Sequence, residues 1–206
     1  MIKCNVTVCG VIGRDASIRT NKEGKTFLVF PLRVMIPDTD GKTMPIEVDV
    51  SKDTAGKEVS KYRNGSRIEV SGTMYLKHRG DKLYFNLFIN EIRTATADAK
   101  DTVKGELVFR GKVGQHIEEK RDKKDQPYTM FSAFSTEKVE DGFEYQWVRF
   151  FCFGKEREAW LQPGVRVDAK GEISLSAYNG KLNVSCKVEE LVQYVADSSN
   201  ALSSLK

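Results

Sequence analysis

The residues best suited to chemistry in this sequence of 206 residues lie in one stretch, FEYQWVRFFCFGK, from Phe143 to Lys155. The stretch holds six aromatic residues, and an arginine lies among them. Because side chains of a β-strand alternate between its two faces, one face would carry Trp147, Arg149, Phe151 and Phe153. The other face would carry Val148, Phe150 and Cys152. Burying an unpaired arginine costs roughly several kcal/mol, so we expect the arginine-bearing face to be accessible and the other face to fill the core.

An exposed row of aromatic side chains with an arginine suits the binding of single-stranded nucleic acid. Stacking an unpaired base on an aromatic ring contributes roughly 1 to 3 kcal/mol whatever the base, and arginine can hold a phosphate or stack as a cation. The alternative is that Arg149 pairs with an acidic neighbour while the aromatic side chains meet another subunit, since both residue types are enriched at protein interfaces. The stretch therefore predicts either a nucleic-acid surface or a protein interface.

The chain contains two similar halves. CGVIG at Cys9–Gly13 returns as RGKVG at Arg110–Gly114, and GSRIEVSG at Gly65–Gly72 returns as GVRVDAKG at Gly164–Gly171. Matches in the same order along a whole half indicate two related domains rather than a short-period repeat. We predict a first domain over residues 1–96, a small polar linker, a second domain over residues 104–195 and a disordered tail over residues 196–206.

Each half consists of short runs rich in β-forming residues, separated by turn residues. The stretch KEREAWLQPG, Lys155–Gly164, is the helical candidate of the second half and is closed by proline and glycine. Five strands with one helix after the third follow the plan of an OB-fold. The predicted fold class is therefore all-β, with two tandem five-stranded OB-fold barrels, each with a short helix between its third and fourth strands.

Composition argues against several other classes of protein. The chain has two histidines, no paired Cys-x-x-Cys spacing, no phosphate-binding loop and no nucleophile motif, so we expect no catalytic residues, no metal site and no cofactor. No apolar run is long enough to span a membrane. The four cysteines lie in apolar runs and are interpreted as small buried hydrophobic residues, as expected of a cytoplasmic protein.

The second half resembles the bacterial-type single-stranded DNA-binding proteins over residues 105–194. The motifs that carry the resemblance are GKVG at Gly111–Gly114, WVRFFCFGK at Trp147–Lys155 and QPGVRVDAKG at Gln162–Gly171, with Tyr178 seven positions further on. The resemblance implies that Trp147, Phe153 and Tyr178 stack bases, that Arg149 contacts the backbone and that Lys112 adds a phosphate contact. With the rest of the exposed row, the candidate DNA-binding residues of this half are Trp147, Arg149, Phe151, Phe153, Tyr178, Lys112 and Lys181.

The first half departs from this pattern in its third strand, MPIEVDVSKD. Its apolar residues must face the core, which places Glu47 and Asp49 where the second half has Trp147 and Arg149, and an acidic pair would repel phosphates. The candidate binding residues of this half therefore lie in the last hairpin, whose tip is basic and flanked by tyrosine: Lys77, Arg79, Lys82 and Tyr84. The alternative is a solvated hairpin whose lysines protect a sheet edge.

We expect a non-enzymatic protein that coats single-stranded DNA with little sequence preference during replication, recombination or repair. The alternative is an OB-fold interaction module whose exposed aromatic side chains dock another protein. Members of the family often present four barrels per assembly, so the resemblance implies a homodimer of this two-barrel chain. The family also usually ends in an acidic tail that recruits other proteins, whereas this sequence ends NALSSLK, which leaves its partner proteins open.

Overall fold

The computed structural model describes residues 2–54, 58–80, 82–139, 142–154 and 156–194, and it is all-β, as predicted. The strands of the first half are β1 (Ile2–Ile12), β2 (Ser17–Thr20), β3 (Thr26–Pro37), β4 (Thr43–Asp53), β5 (Arg67–Arg79) and β6 (Lys82–Thr94). Those of the second half are β7 (Thr102–Arg121), β8 (Pro127–Val139), β9 (Gly142–Phe153), β10 (Arg166–Tyr178) and β11 (Lys181–Gln193).

Five strands of the first half pair in a closed order, β1–β5–β6–β4–β3, and β3 returns to β1 through the pairing of Val11 with Arg33. All of these pairings are antiparallel except β4–β6, which is parallel. The short strand β2 is an addition that the sequence analysis did not predict. It pairs with β3 through a turn in which the Asn21 side chain accepts hydrogen bonds from the backbone N–H groups of Glu23 and Lys25.

The second half has the same order of pairing, β7–β8–β9–β11–β10, and β10 returns to β7. Its one parallel pairing is β9–β11, which corresponds to β4–β6 of the first half. The core of this half is aromatic: the Phe150 ring lies 5.1 Å from that of Phe131 and 4.9 Å from that of Phe109. Fully burying such a side chain contributes roughly 1.5 to 3 kcal/mol.

The two halves share one sheet of eleven strands, because β1 also pairs with β7 from Lys3 opposite Val108 to Cys9 opposite Thr102. This pairing places residues 102 and 103, the end of the predicted linker, in a strand. Asp101, just before β7, accepts a 2.7 Å hydrogen bond from the Met35 N–H and forms an ion pair with Arg67. The domain boundaries remain a prediction, but the halves are hydrogen-bonded to each other along seven residue pairs.

The predicted helix of the second half is wrong for its described residues, 156–164, which form turns; Lys155 lies outside the described residues. The turn carbonyls have other partners, since the Arg157 Nε donates to the Leu161 carbonyl at 2.9 Å. A helix this short would form too few hydrogen bonds to offset the free-energy cost of nucleation before Pro163 ends it. The equivalent segment of the first half is a single 3₁₀ turn, Val59–Lys61, and a second 3₁₀ turn spans Thr39–Gly41.

Three of the cysteines, Cys4, Cys9 and Cys186, are buried, and Cys152 is half-buried. Burial raises the thiol pKa of both Cys4 and Cys186 to about 12, in keeping with their interpretation as small hydrophobic residues. Nowhere in the described part of the chain is there a helix long and apolar enough to cross a membrane. The predicted disordered tail, 196–206, lies outside the described residues.

Candidate nucleic-acid interface

The outward face of β9 carries a row of large side chains. Val148 and Phe150 point into the core, whereas Trp147 is 53% exposed, Phe153 is 46% exposed and Arg149 is exposed between them. Phe151, on the same face, is half-buried. The row exists because buried and outward residues alternate along β9. Apart from Arg149, the outward residues are aromatic, whereas a solvated face usually carries polar residues.

The row is longer than the sequence analysis proposed. Phe143 is 60% exposed and Tyr145 is 52% exposed, and both share the outward face of β9. The signal that identifies them is the same alternation that selected Trp147. We call these six residues of β9, together with their cross-strand neighbours Phe134 and Tyr128 on β8, the aromatic platform: Phe143, Tyr145, Trp147, Arg149, Phe151, Phe153, Phe134 and Tyr128.

The rings of the aromatic platform pack against one another across the two strands. Phe134 lies 4.9 Å from the Trp147 ring and 5.4 Å from the Tyr145 ring, and Tyr128 stacks on Phe153 at 5.2 Å. Such contacts restrict ring rotation, so the exposed faces are ordered before a ligand arrives. At about 3.3 Å per residue, the row from Phe143 to Phe153 extends roughly 33 Å.

Arg149 borders a small pocket of about 300 Å³ that Trp147, Glu118 and His116 also line. Glu118 is paired with Lys120 at 2.6 Å, and this hydrogen bond lowers the pKa of Glu118, with smaller contributions from His116 and Arg149. Arg149 itself forms no ion pair with any described residue. Its guanidinium is therefore available to an anion or a base.

The Trp147 ring leans over a glycine at the edge of this pocket. A Cβ at Gly114 would lie 3.0 Å from the Cζ3 atom of Trp147, closer than ordinary side-chain contacts allow. The register between β7 and β8 shifts at this point, between Val113 and Ile117. The irregular strand and the missing side chain together make room for the indole ring.

The other candidates of the second half lie on β7, β10 and β11. Lys112 is exposed on β7 as the cross-strand partner of Phe134. Tyr178 ends β10 with 62% exposure and pairs with Lys181, which starts β11. The tip of this hairpin reaches the first half, because the Asn179 N–H donates to the Thr39 hydroxyl at 3.0 Å.

The basic hairpin of the first half also reaches the second half. At its tip the Gly80 N–H donates to a Glu144 carboxylate oxygen at 3.3 Å, and the Arg79 guanidinium lies 6.0 Å from the centre of the Tyr84 ring. Arg79 and Lys82 are exposed, and Lys77 is half-buried. The tip of the hairpin therefore lies beside the start of β9.

A groove of about 840 Å³ lies between the halves, and we call it the inter-half groove. It brings together predicted residues from both halves that are far apart in sequence: Lys82, Tyr84, Trp147 and Lys181. The remaining candidates do not line it: Lys77, Arg79, Lys112, Arg149, Phe151, Phe153 and Tyr178. Its walls also include residues that the sequence analysis did not select for binding, among them Tyr145, Gln146 and His78.

Strand β4, which the sequence analysis counted as the third strand of the first half, has its apolar residues on the predicted face. Val48 and Val50 are buried, and Glu47 and Asp49 are exposed on the opposite face, where they line the inter-half groove. Both carboxylates thus belong to the same groove as Trp147. Among the residues that the structure describes, no group of three or more His, Cys, Asp or Glu side chains is arranged to hold a metal ion.

The sequence matches no protein-family model and no curated protein at a significant level. The structure is similar to that of the wild-type single-stranded DNA-binding protein of Thermus aquaticus, with 12% identity over 95% of this chain and 93% of that chain and a TM-score of 0.46. A deletion variant of the same protein aligns over 96% of both chains, with 13% identity and a TM-score of 0.45. The SSB of Plasmodium falciparum, solved in complex with ssDNA, aligns with 45% of this chain and 95% of its own, with 18% identity and a TM-score of 0.35.

Proposed function

We propose that this chain is a non-enzymatic, sequence-tolerant single-stranded DNA-binding protein of the cytoplasm, built from two tandem OB-folds. It would coat and protect single strands in replication, recombination or repair. The observation that carries the proposal is the aromatic platform, in which exposed rings alternate along β9 with the buried core residues Val148 and Phe150. Exposed apolar side chains are normally scattered singly over a protein surface. Exposed aromatic side chains that form a continuous surface therefore indicate a binding site.

The aromatic platform has the chemistry that an unpaired strand requires. Every base has a flat π-face, so stacking on Trp147 or Phe153 stabilises any sequence, by roughly 1 to 3 kcal/mol per base. Arg149 contributes a cation beside these rings, and it has no competing ion pair among the described residues. Exposed Lys112 and Lys181 supply further positive charge at the margins. Stacking and phosphate neutralisation together give binding that tolerates sequence and weakens with salt.

We further propose that two chains form a homodimer that presents four OB-folds to the DNA. Sedimentation equilibrium of the full chain, with and without oligonucleotide, measures its mass directly. A mass of one chain in both states would contradict the dimer and leave DNA binding by the single chain unaffected.

A titration with poly-dT, monitored by tryptophan fluorescence, tests the proposed function. The chain has two tryptophans: Trp147 is exposed, and Trp160 is half-buried against the core. Stacking of a base on Trp147 should quench emission, and the affinity should fall steeply as salt rises, because each neutralised phosphate of a single strand contributes a slope of about −0.7. Unchanged emission together with no salt-dependent binding would contradict the proposal.

A second candidate function is that of an interaction module that docks another protein. It is favoured by the apolar end of the β8–β9 hairpin, where Phe143 and Val139 are exposed. The titration distinguishes the two functions, because a protein-docking surface does not bind poly-dT with a steep salt dependence.

A further inference from the structure

The inter-half groove has two chemically different walls, formed by equivalent strands of the two halves. One wall comes from β4 and β6 and carries the carboxylates of Glu47 and Asp49. The other comes from β9 and β11 and carries the rings of Tyr145 and Trp147. A lysine starts the second strand of each pair, Lys82 on β6 and Lys181 on β11, and both lysines line the groove.

A buried amide donor without a partner lies on β9, the strand that carries the second wall. Gln146 is only 6% exposed, and its Nε2 atom has no hydrogen-bond partner among the described residues. It precedes Val148 and Phe150 on the inward face of β9, and it lines the inter-half groove. An unmet buried donor is destabilising, so an acceptor brought by a ligand would improve the environment of this amide.

The carboxylates of Glu47 and Asp49 also lack ion-pair partners among the described residues. Glu47 and Asp49 are exposed, and neither forms an ion pair with a described residue. Ionised carboxylates can only accept hydrogen bonds. The groove therefore has acceptors on one wall and a stacking surface on the other, and an unused amide donor lies on the strand of the stacking wall.

We propose that the inter-half groove is a nucleobase subsite that favours guanine. The base stacks on Trp147 or Tyr145, its N1–H and N2–H groups donate to Glu47 or Asp49, and the Gln146 amide turns into the groove and donates to O6. Guanine is the base that offers two adjacent donors and one acceptor on its Watson–Crick edge, and unstacked bases are read by this edge. Lys82 and Lys181 neutralise the flanking phosphates.

The other bases fit this arrangement less well. Thymine presents carbonyl oxygens on both sides of its single N–H, and these oxygens would face carboxylates. Adenine and cytosine each present one amino group, so a carboxylate accepts one hydrogen bond from them where it accepts two from guanine. The acidic strand of the first half thus acquires a role in reading a base, although it repels phosphates.

This inference rests on the proposed function and refines it at one position along the strand. The aromatic platform stacks any base, whereas the inter-half groove selects the base that enters it. The test therefore compares oligonucleotides that differ at a single central position.

The experiment measures the affinity of the full chain for four oligonucleotides of equal length by competition: all-dT, and dT with one central dG, dA or deoxyinosine. We expect the dG oligonucleotide to bind about tenfold more tightly than all-dT, on the scale of one good bidentate contact. The dA oligonucleotide controls for the larger stacking area of a purine. Deoxyinosine keeps O6 and N1–H but lacks the amino group, so its affinity should lie between those for dG and dA.

Three substitutions assign the preference to the groove. Glu47→Gln with Asp49→Asn removes the acceptors' charge at constant shape, and Gln146→Met removes the donor. The double carboxylate variant and Gln146→Met should each abolish most of the dG preference without weakening all-dT binding. Glu172→Gln, which changes an exposed carboxylate on β10 outside the groove, is the matched control and should leave the preference unchanged.

The outcomes separate the two proposals. If all-dT binds in a salt-dependent manner but dG binds no more tightly than dA, the guanine subsite is wrong and the proposed function stands. If the wild-type chain binds none of the four oligonucleotides, the proposed function is wrong and the subsite is wrong with it. A preference that survives both the carboxylate and the Gln146→Met changes would also overturn the subsite.

Discussion

Trp147 is the residue shared by all of the proposed binding features of this molecule. Its ring packs on Phe134 in the aromatic platform, and it lines both the small pocket beside Arg149 and the inter-half groove. It nevertheless contributes little to the core, because half of the side chain is exposed. Loss of this ring should therefore affect binding far more than folding.

We expect Trp147→Ala to weaken poly-dT binding by roughly 1 to 3 kcal/mol, because one stacking surface is lost. The melting temperature should change little. The matched control is Val108→Ala, which removes an exposed apolar side chain from β7 and should leave the affinity unchanged. Equilibrium binding and thermal denaturation of both variants check the prediction, and a large loss of stability in Trp147→Ala would show that the ring belongs to the core.

Arg149 should govern the salt dependence of binding if its guanidinium contacts a phosphate. We expect Arg149→Gln to reduce the slope of log affinity against log salt by about 0.7, the value for one phosphate contact on a single strand. Arg149→Lys keeps the charge and should keep most of the slope. Equal slopes for the wild type and Arg149→Gln would show that the arginine stacks on a base or contacts no DNA.

At the residue scale, alternation along β9 was enough to predict the exposed face. Phe143 and Tyr145 have the same parity as Trp147 and could have been predicted by extending the row towards the hairpin. The role proposed for Gln146 could not have been predicted, because its place in the alternation indicates only that its side chain is buried. Its relation to Glu47 and Asp49 depends on how the two halves face each other, which no local pattern encodes.

At the scale of elements, each half contains a β-bulge at an equivalent glycine. The register between β5 and β6 shifts at Gly72, and the register between β10 and β11 shifts at Gly171. A Cβ at Gly72 would lie 2.0 Å from the Phe88 carbonyl oxygen, and one at Gly171 would lie 2.1 Å from that of Lys187. The strands approach this closely because no side chain separates them, and the bulge lets the sheet curve.

Replacing one of these glycines should therefore be costly. We expect Gly171→Ala to lower the free energy of unfolding by roughly 1 to 3 kcal/mol, because the contact is with backbone that cannot move aside. Gly13→Ala is the matched control, since its Cβ would meet Pro31 at an ordinary 3.7 Å. Urea denaturation of the two variants checks the difference, and equal stability would contradict the close approach of β10 and β11.

The order of strands was predictable from short β-rich runs, but two elements were not. The segment after β9 has helical composition, yet Arg157 bonds the Leu161 carbonyl and Pro163 follows, so turns form instead. Strand β2 was missed because its four residues are all exposed and show no apolar alternation. A side-chain hydrogen bond and a proline determine the structure of the segment after β9, and a turn determines that of β2. Hydrophobic periodicity does not reveal such local interactions.

At the scale of the whole molecule, the pairing of β1 with β7 joins two halves that the sequence presents as separate repeats. Their internal similarity predicted two units, but it contained no information on the edges by which they meet. The joint includes a glycine: a Cβ at Gly105 would lie 2.0 Å from the Asn5 carbonyl oxygen, and its φ of +146° is one that other residues rarely adopt. Asp101 adds the bonds to Met35 and Arg67.

We expect the two halves to unfold together because of this joint. Differential scanning calorimetry of the wild type should show one transition, with equal calorimetric and van't Hoff enthalpies. Asp101→Ala should broaden or split the transition, whereas Asp98→Ala, which changes an exposed residue of the same connection, should not. Two separate transitions in the wild type would contradict strong coupling between the halves.

The double pairing of β1 has a consequence for how the protein is made. One edge of β1 is covered by β5 once residues up to Leu76 have emerged from the ribosome, but on the other edge the segment from Lys3 to Cys9 stays unpaired until residues 102–108 arrive. At roughly 5 to 20 residues per second, a nascent chain holds this edge open for seconds, and an open strand edge is a template for aggregation. A chain truncated near residue 96 would keep this edge open permanently, so the isolated N-terminal half should aggregate under conditions in which the complete chain does not.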